Sequence, residues 1–117
     1  MTFVQRGELY RISGARNDPK PSRVYLVVSR QSFLDAPHSS VMCIPVYSNF
    51  HGLETEVLVD ETHGLKHLSS AQCDQIMSLP RASLRNFVGS LPSEKMREVA
   101  RAMAIALDIL PEDIEDL

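Results

Sequence analysis

From Glu8 to Leu91 the chain is a succession of short apolar runs, each cut off by glycine, proline or clustered polar residues, and this rhythm limits the folds open to it. Glu8-Leu9-Tyr10-Arg11-Ile12 alternates polar and apolar residues, the pattern of a half-buried strand. Val24 to Val28 is continuously apolar and rich in β-branched residues, which predicts a central strand covered on both faces. Val41 to Val46 predicts a further strand, with Pro45 implying an edge or bulge there because proline brings no ladder donor. Glu54 to Val59 follows the turn at His51-Gly52. Ser70 to Leu79 is strand-like in its latter half, and Asn86 to Leu91 supplies one more strand. Short strands at roughly ten-residue spacing predict a small, strongly bent sheet or barrel.

Between the first two runs, Ser13 to Ser22 contains Gly14, Pro19 and Pro21 and cannot continue a strand. This loop, about 13–22, is a candidate functional flap. Ser32 to Pro37 predicts a turn or short helical connection ended by proline. Only the end of the chain changes period: Met96, Val99, Ala100, Met103, Leu107 and Leu110 share one helical face over about 93–110. Pro92 and Ser93 offer a helix start, Pro111 a stop, and the acidic tail 111–117 is expected to fray. The length of 117 residues suits one domain across 1–117.

Composition narrows the function. No run approaches the ~18 apolar residues of a membrane span, and the first residues lack a basic-then-apolar leader, so a cytoplasmic protein without membrane contact is expected. Cys43 and Cys73 each lie in an apolar run and read as two reduced core thiols. None of His38, His51, His63 and His67 pairs with a cysteine at zinc-site spacing, so no metal and no cofactor is expected. The net charge of −3 hides an asymmetry. The last ten residues carry five acids and no base, whereas residues 1–34 carry six bases against Glu8 and Asp18. A net-acidic chain with a local basic excess is able to bind nucleic acid through one groove.

Ser22 to Ser29 and Met42 to Asn49 both carry polar groups at one end, so a guanidinium from Arg23 and a hydroxyl from Tyr47 or Ser48 can meet above a sheet where a phosphate sits. An arginine fork binds two phosphate oxygens and stays charged.

Taken together, Arg6-Gly7-Glu8-Leu9-Tyr10, Arg23 to Ser29, Cys43-Ile44-Pro45-Val46-Tyr47-Ser48, Asp74-Gln75-Ile76 and the closing Glu94-Lys95-Met96 helix resemble the MazF/PemK toxins of bacterial toxin-antitoxin pairs, from about Arg6 to Leu110. The resemblance implies an SH3-like barrel with a C-terminal helix and a homodimer. It also implies a metal-independent endoribonuclease of single-stranded RNA, and a cognate antitoxin whose acidic or apolar tail lies across the RNA groove. The family's arginine-proline pair becomes Arg23-Val24, and the threonine that works with that arginine falls at Tyr47. Neighbouring strand residues point to opposite faces, so Ser48 replaces that hydroxyl only if a bulge re-aims it; otherwise Tyr47 supplies its phenol. The loop before Arg23 lacks the glycine-rich pattern and glutamate of many relatives.

On this reading Arg23 stabilises charge and Ser48 or Tyr47 donates a hydrogen bond. Lys20, Asn49, Asp74, Gln75 and Arg81 are candidate RNA contacts, with Arg85 a further phosphate candidate. His67 and His51 are candidate proton-transfer groups, and Tyr25 and Phe50 are candidate stacking platforms, with core packing favoured for Tyr25. Two other functions share the fold: a CcdB-like gyrase poison, whose mode depends on a tryptophan-containing tip that this tryptophan-free chain lacks, and a catalytically weakened relative acting through antitoxin or DNA binding.

Overall fold

The computed structural model describes residues 3–14 and 18–115; Ala15, Arg16 and Asn17 of the expected flap, the first two residues and the last two of the acidic tail lie outside the described residues. Among these residues seven strands are formed: β1 (Glu8–Ser13), β2 (Ser22–Val27), β3 (Ser40–Tyr47), β4 (Glu56–Val59), β5 (Ser69–Gln72), β6 (Met77–Pro80) and β7 (Asn86–Ser90). Three α-helices, α1 (Gln31–Leu34), α2 (Ser93–Ala106) and α3 (Pro111–Ile114), and three short 3₁₀ turns complete the order among the described residues. The strands run β4-β5-β3-β2-β1-β7, all antiparallel, and β6 shares β3 with β5. This curled, mainly-β sheet with a C-terminal helix is the architecture the strand rhythm predicts.

Burial on both sides explains the apolar run of β2. Val24 and Leu26 join Leu9, Ile44, Val46, Val57 and Val59 in one core, roofed by Val99 and Ala102 of α2. Tyr25 and Val27 face the other way, into a second core with Tyr10, Ile12, Val41, Cys43, Leu84 and Leu34 of α1. The thiols of Cys43 and Cys73 are free and buried, and burial pushes both up to about 12, which makes them unreactive.

Several expectations are corrected or narrowed. Pro45 is not at an outer edge: it pairs with Tyr25 in the central strand. Its missing donor falls where β6 has left β3 at Cys43 and β5 has not yet joined at Val46, so no ladder bond is lost. The latter half of Ser70 to Leu79 forms β6 as expected, but the first half is a strand too, β5, set off by a 3₁₀ turn at Cys73–Gln75. Helix α2 ends at Ala106 rather than near Leu110, because Asp108 takes a left-handed conformation (φ 55) and the Ile109 amide donates back to the Ala104 carbonyl at 2.8 Å. Pro111 therefore opens α3 instead of stopping α2, and the tail's first residues are ordered by the Asp113 carboxylate accepting from the Leu110 amide at 2.8 Å. Ser93 makes no side-chain cap; Pro92 holds the N-cap position.

Two glycines fix the connection between β4 and β5. The 3₁₀ turn Glu61–His63 lies against β7 so closely that a Cβ on Gly89 would stand 1.9 Å from the His63 carbonyl oxygen, and one on Gly64 (φ +95) 2.2 Å from that of Val88. Gly89→Ala should lower stability by about 1–3 kcal/mol, the usual cost of overpacking. A denaturant midpoint unchanged from wild type would show that the two backbones separate freely.

Candidate functional site

Register decides which side chains meet. With Val24 opposite Val46 and Tyr25 opposite Pro45, alternation puts Arg23, Tyr25, Pro45 and Tyr47 on one face of the sheet end and Ser22, Val24 and Val46 on the other. A cleft of about 990 Å³ opens on the first face, with Ile12, Pro45, Met77 and Leu79 as apolar walls and Asp18, Arg23, Tyr25, Tyr47 and Gln75 as polar groups. Lys20, Ser48 and Asn49 stand at its rim.

Arg23 lines this cleft while only 9% exposed. Its guanidinium lies over the Tyr47 ring, 4.1 Å from the centroid. Its Nε donates to Asp18 Oδ2, its Nη2 donates to Asp18 Oδ1 at 2.9 Å, and its Nη1 points at the Val46 carbonyl at 3.4 Å. The Asp18 carboxylate also accepts from the Lys20 amide at 2.9 Å and the Tyr25 hydroxyl at 3.4 Å. An acidic side chain from the flap thus does reach Arg23, although no local pattern of residues signals it. The carboxylate fills the fork where two phosphate oxygens fit.

The Arg23 hydrogen bonds hold the Asp18 carboxyl down at about 2, so it stays ionised and is a poor proton acceptor. Because the folded value lies below the ordinary 3.8, the pair stabilises the fold above that pH and the contribution fades as pH falls toward about 2. Wild type should therefore be more stable than Asp18→Asn near neutrality, with the difference shrinking from about pH 4 downward. Parallel stability profiles across that window would show that the ion pair contributes nothing.

Of the two candidates for the hydroxyl beside Arg23, Tyr47 is the one that strand alternation places on its face, and its hydroxyl donates to Gln75 Oε1 at 2.6 Å. The bulge that would turn Ser48 onto that face is not formed within β3, which keeps regular register with β2 through Val46 and with β5 through Tyr47. Ser48 follows the strand end and accepts from Lys20 Nζ at 3.4 Å. The loop after it is held by the buried Glu56, whose carboxylate accepts from the amides of His51 (3.0 Å) and Leu53 (2.8 Å) and from Gln72 Nε2 (2.9 Å). Ser70, also buried, donates to the Asn49 carbonyl at 2.5 Å. The bonds from Gln72 and from those amides keep Glu56 below the usual carboxylate range. This network sets where Asn49 stands.

The remaining sequence candidates scatter. Tyr25 does double duty, 3% exposed in the second core with its hydroxyl reaching Asp18. Asp74 turns to the Thr55 hydroxyl, while its neighbour Gln75 faces the cleft. Arg81 lies outside the cleft and clamps the end of α1, donating to the carbonyls of His38 (2.8 Å), Leu34 (3.0 Å) and Ala36 (3.1 Å). Arg85 donates to the Ala82 carbonyl at 2.9 Å. His51 sits 3.3 Å from the Asn49 amide, outside the cleft lining, as is the half-exposed Phe50. His67 lines a second, smaller cleft that also touches Arg23 and Ser48. Among the described residues no three His, Cys, Asp or Glu side chains converge as a metal centre would require, and no helix is long and apolar enough to cross a membrane.

Residues 5–107 match the family described as PemK-like, MazF-like toxin of type II toxin-antitoxin system. A relative, Endoribonuclease MazF3 of Mycobacterium tuberculosis (strain CDC 1551 / Oshkosh), is 30% identical over 89 residues, covering 75% of this chain and 84% of its own. The fold is similar to that of Mycobacterium tuberculosis toxin MazF-mt6, with a TM-score of 0.77 at 24% identity over 88% of this chain and 98% of that one. It is also similar to MazE-MazF (Form-II) from Deinococcus radiodurans, with a TM-score of 0.74 at 20% identity over 94% of this chain and all of that one.

Proposed function

The chain belongs to the PemK-like, MazF-like toxin family of type II toxin-antitoxin systems, and on that footing we propose that it is an endoribonuclease that cuts single-stranded RNA without a metal ion. The observation that carries this reading is a permanently charged guanidinium lining an open cleft, with a phenol hydroxyl on the same face. RNA brings its own nucleophile. The 2′-oxygen bonds to phosphorus, the bond from phosphorus to the 5′-oxygen breaks, and the products are a 2′,3′-cyclic phosphate and a 5′-hydroxyl end. One proton leaves the 2′-hydroxyl and one reaches the 5′-oxygen.

Arg23 serves the negative charge that builds on the phosphate oxygens, where a preorganised donor is most effective. For the phosphate to enter the fork, Asp18 must yield it. The flap therefore acts as an internal competitor, and its displacement is part of substrate binding. Tyr47 turns its hydroxyl from Gln75 toward the phosphate or the leaving oxygen. Neither candidate histidine lines the cleft that holds the Arg23 fork; His67 lines the second cleft, on the other face of the sheet end. The toxin acts in the cytoplasm as a homodimer and is silenced by a cognate antitoxin.

The decisive experiment incubates the purified chain with single-stranded RNA in excess chelator and analyses the ends. Cyclic-phosphate and 5′-hydroxyl products support the reading, and intact RNA sinks it. A catalytically weakened relative is the second reading, favoured by the Asp18 carboxylate already seated in the Arg23 fork. Such a protein leaves RNA intact while still binding its antitoxin.

A further inference from the structure

On the opposite face of the same sheet end a second cleft of about 240 Å³ is lined by Arg11, Lys20, Arg23, Lys66 and His67, with the hydroxyls of Ser22, Ser48 and Ser69 and no carboxylate. Arg23 is compensated by Asp18 from the first cleft. Among the described residues, Arg11, Lys20 and Lys66 form no ion pair. A chain of net charge −3 thus gathers uncompensated cations in one concave spot.

The cleft is built rather than incidental. Arg11 is set in β1 opposite Val24, and its Nη1 donates to the Ser22 hydroxyl at 3.2 Å. Lys66 and His67 ride on the connection whose base is locked by Gly64 and Gly89, and Ser69 closes that connection by donating to the His67 carbonyl at 3.1 Å. Lys20, Arg23 and Ser48 line both clefts, with Lys20 Nζ 3.4 Å from Ser48 Oγ at the junction. The two clefts form one path around the sheet end.

We infer that the second cleft is a backbone-phosphate subsite, in which Arg11 and Lys66 neutralise phosphates of the RNA strand flanking the one held at Arg23. The inference rests on the proposed ribonuclease reading and adds the route the strand takes. Arginine and lysine offer donors only, and phosphate contacts fix register without reading bases, so this subsite serves affinity and placement for any sequence.

Binding of the full chain to a single-stranded RNA carrying 2′-O-methyl groups, which blocks cleavage, tests it across a salt series. Each phosphate neutralised on a single strand contributes about 0.7 to the slope of log affinity against log salt. Lys66→Gln, in an exposed connection, should flatten the slope by about 0.7, and Arg11→Gln with Lys66→Gln by about 1.4. Across a fourfold rise in salt the double variant should lose about sevenfold less affinity than wild type. Lys66→Arg, which keeps the charge, should restore the wild-type slope. Unchanged slopes in both glutamine variants overturn the inference, and so does loss of affinity for an acidic peptide while the RNA slope stays intact. Cleavage by wild type in chelator together with unchanged slopes removes the subsite alone, whereas a wild type that neither cuts nor binds RNA removes the ribonuclease reading as well.

Discussion

If the chain cuts RNA as proposed, Arg23→Ala should lower cleavage of single-stranded RNA by ~100- to 1000-fold, the loss expected when a donor aimed at developing phosphate charge is removed. The expectation follows from three features at once: the side chain is buried to 9% exposure, it faces the large cleft, and its fork is already arranged for a pair of oxygens by Asp18. Arg23→Lys keeps the charge but not the planar fork or its stacking on Tyr47, and should recover only a small part of the rate. The substitution also strands the Asp18 carboxylate, so lost activity in Arg23→Ala alone is open to a structural explanation. The double variant Asp18→Asn, Arg23→Ala removes both charges together. It should fold, as judged by an unfolding transition as cooperative as that of wild type, and remain inactive. Wild-type cleavage from that double variant would sink the assignment of Arg23.

What the sequence disclosed was apolar patterning, and what it withheld was polar structure formed over distance. Val24 to Val28 reads as a central strand because both of its faces are buried in separate cores. Strand β5 does not read as one: Ser69, Ser70, Ala71 and Gln72 are all buried, yet three of the four are polar and have no apolar period. The burial of the polar three is sustained by a local hydrogen bond from Ser69 to His67 and by bonds from Ser70 to Asn49 and from Gln72 to Glu56, two partners that only the fold brings near. The end of α2 was missed for a related reason. No glycine marks it, and Asp108 takes the left-handed position that glycine usually fills. In the site, Arg23 and Tyr47 meet as their strand positions suggest, and Lys20, Asn49 and Gln75 join them from the flap, the loop after β3 and a 3₁₀ turn. Asp18 was invisible because its role depends on the flap folding back five residues onto Arg23. Arg81 read as a free cation, and only the path of the chain past α1 shows three carbonyls taking its donors.

Tyr47→Phe should lower cleavage by ~100-fold or more with little change in RNA affinity, whereas Ser48→Ala should change the rate only slightly. The two substitutions each delete one hydroxyl, so they isolate which of the two neighbouring hydroxyls serves the phosphate beside Arg23. Regular register through Tyr47 keeps that side chain on the Arg23 face, and phenylalanine preserves the ring beneath the guanidinium. Any loss therefore reports the hydroxyl itself and not the platform. Tyr47→Ala removes both, and should cost a further ~0.5–2 kcal/mol in positioning Arg23, the range for a cation over an aromatic face. Ser48 stands at the junction of the two clefts beside Lys20, where its loss affects how the strand is held more than how the bond is broken. The reverse pattern, a severe Ser48→Ala and a silent Tyr47→Phe, would mean that the strand end rearranges around bound RNA and hands the chemistry to the serine. Single-turnover rates measured beside equilibrium affinities separate these outcomes, because the phenol acts on the bond-breaking step and the serine on the hold that precedes it.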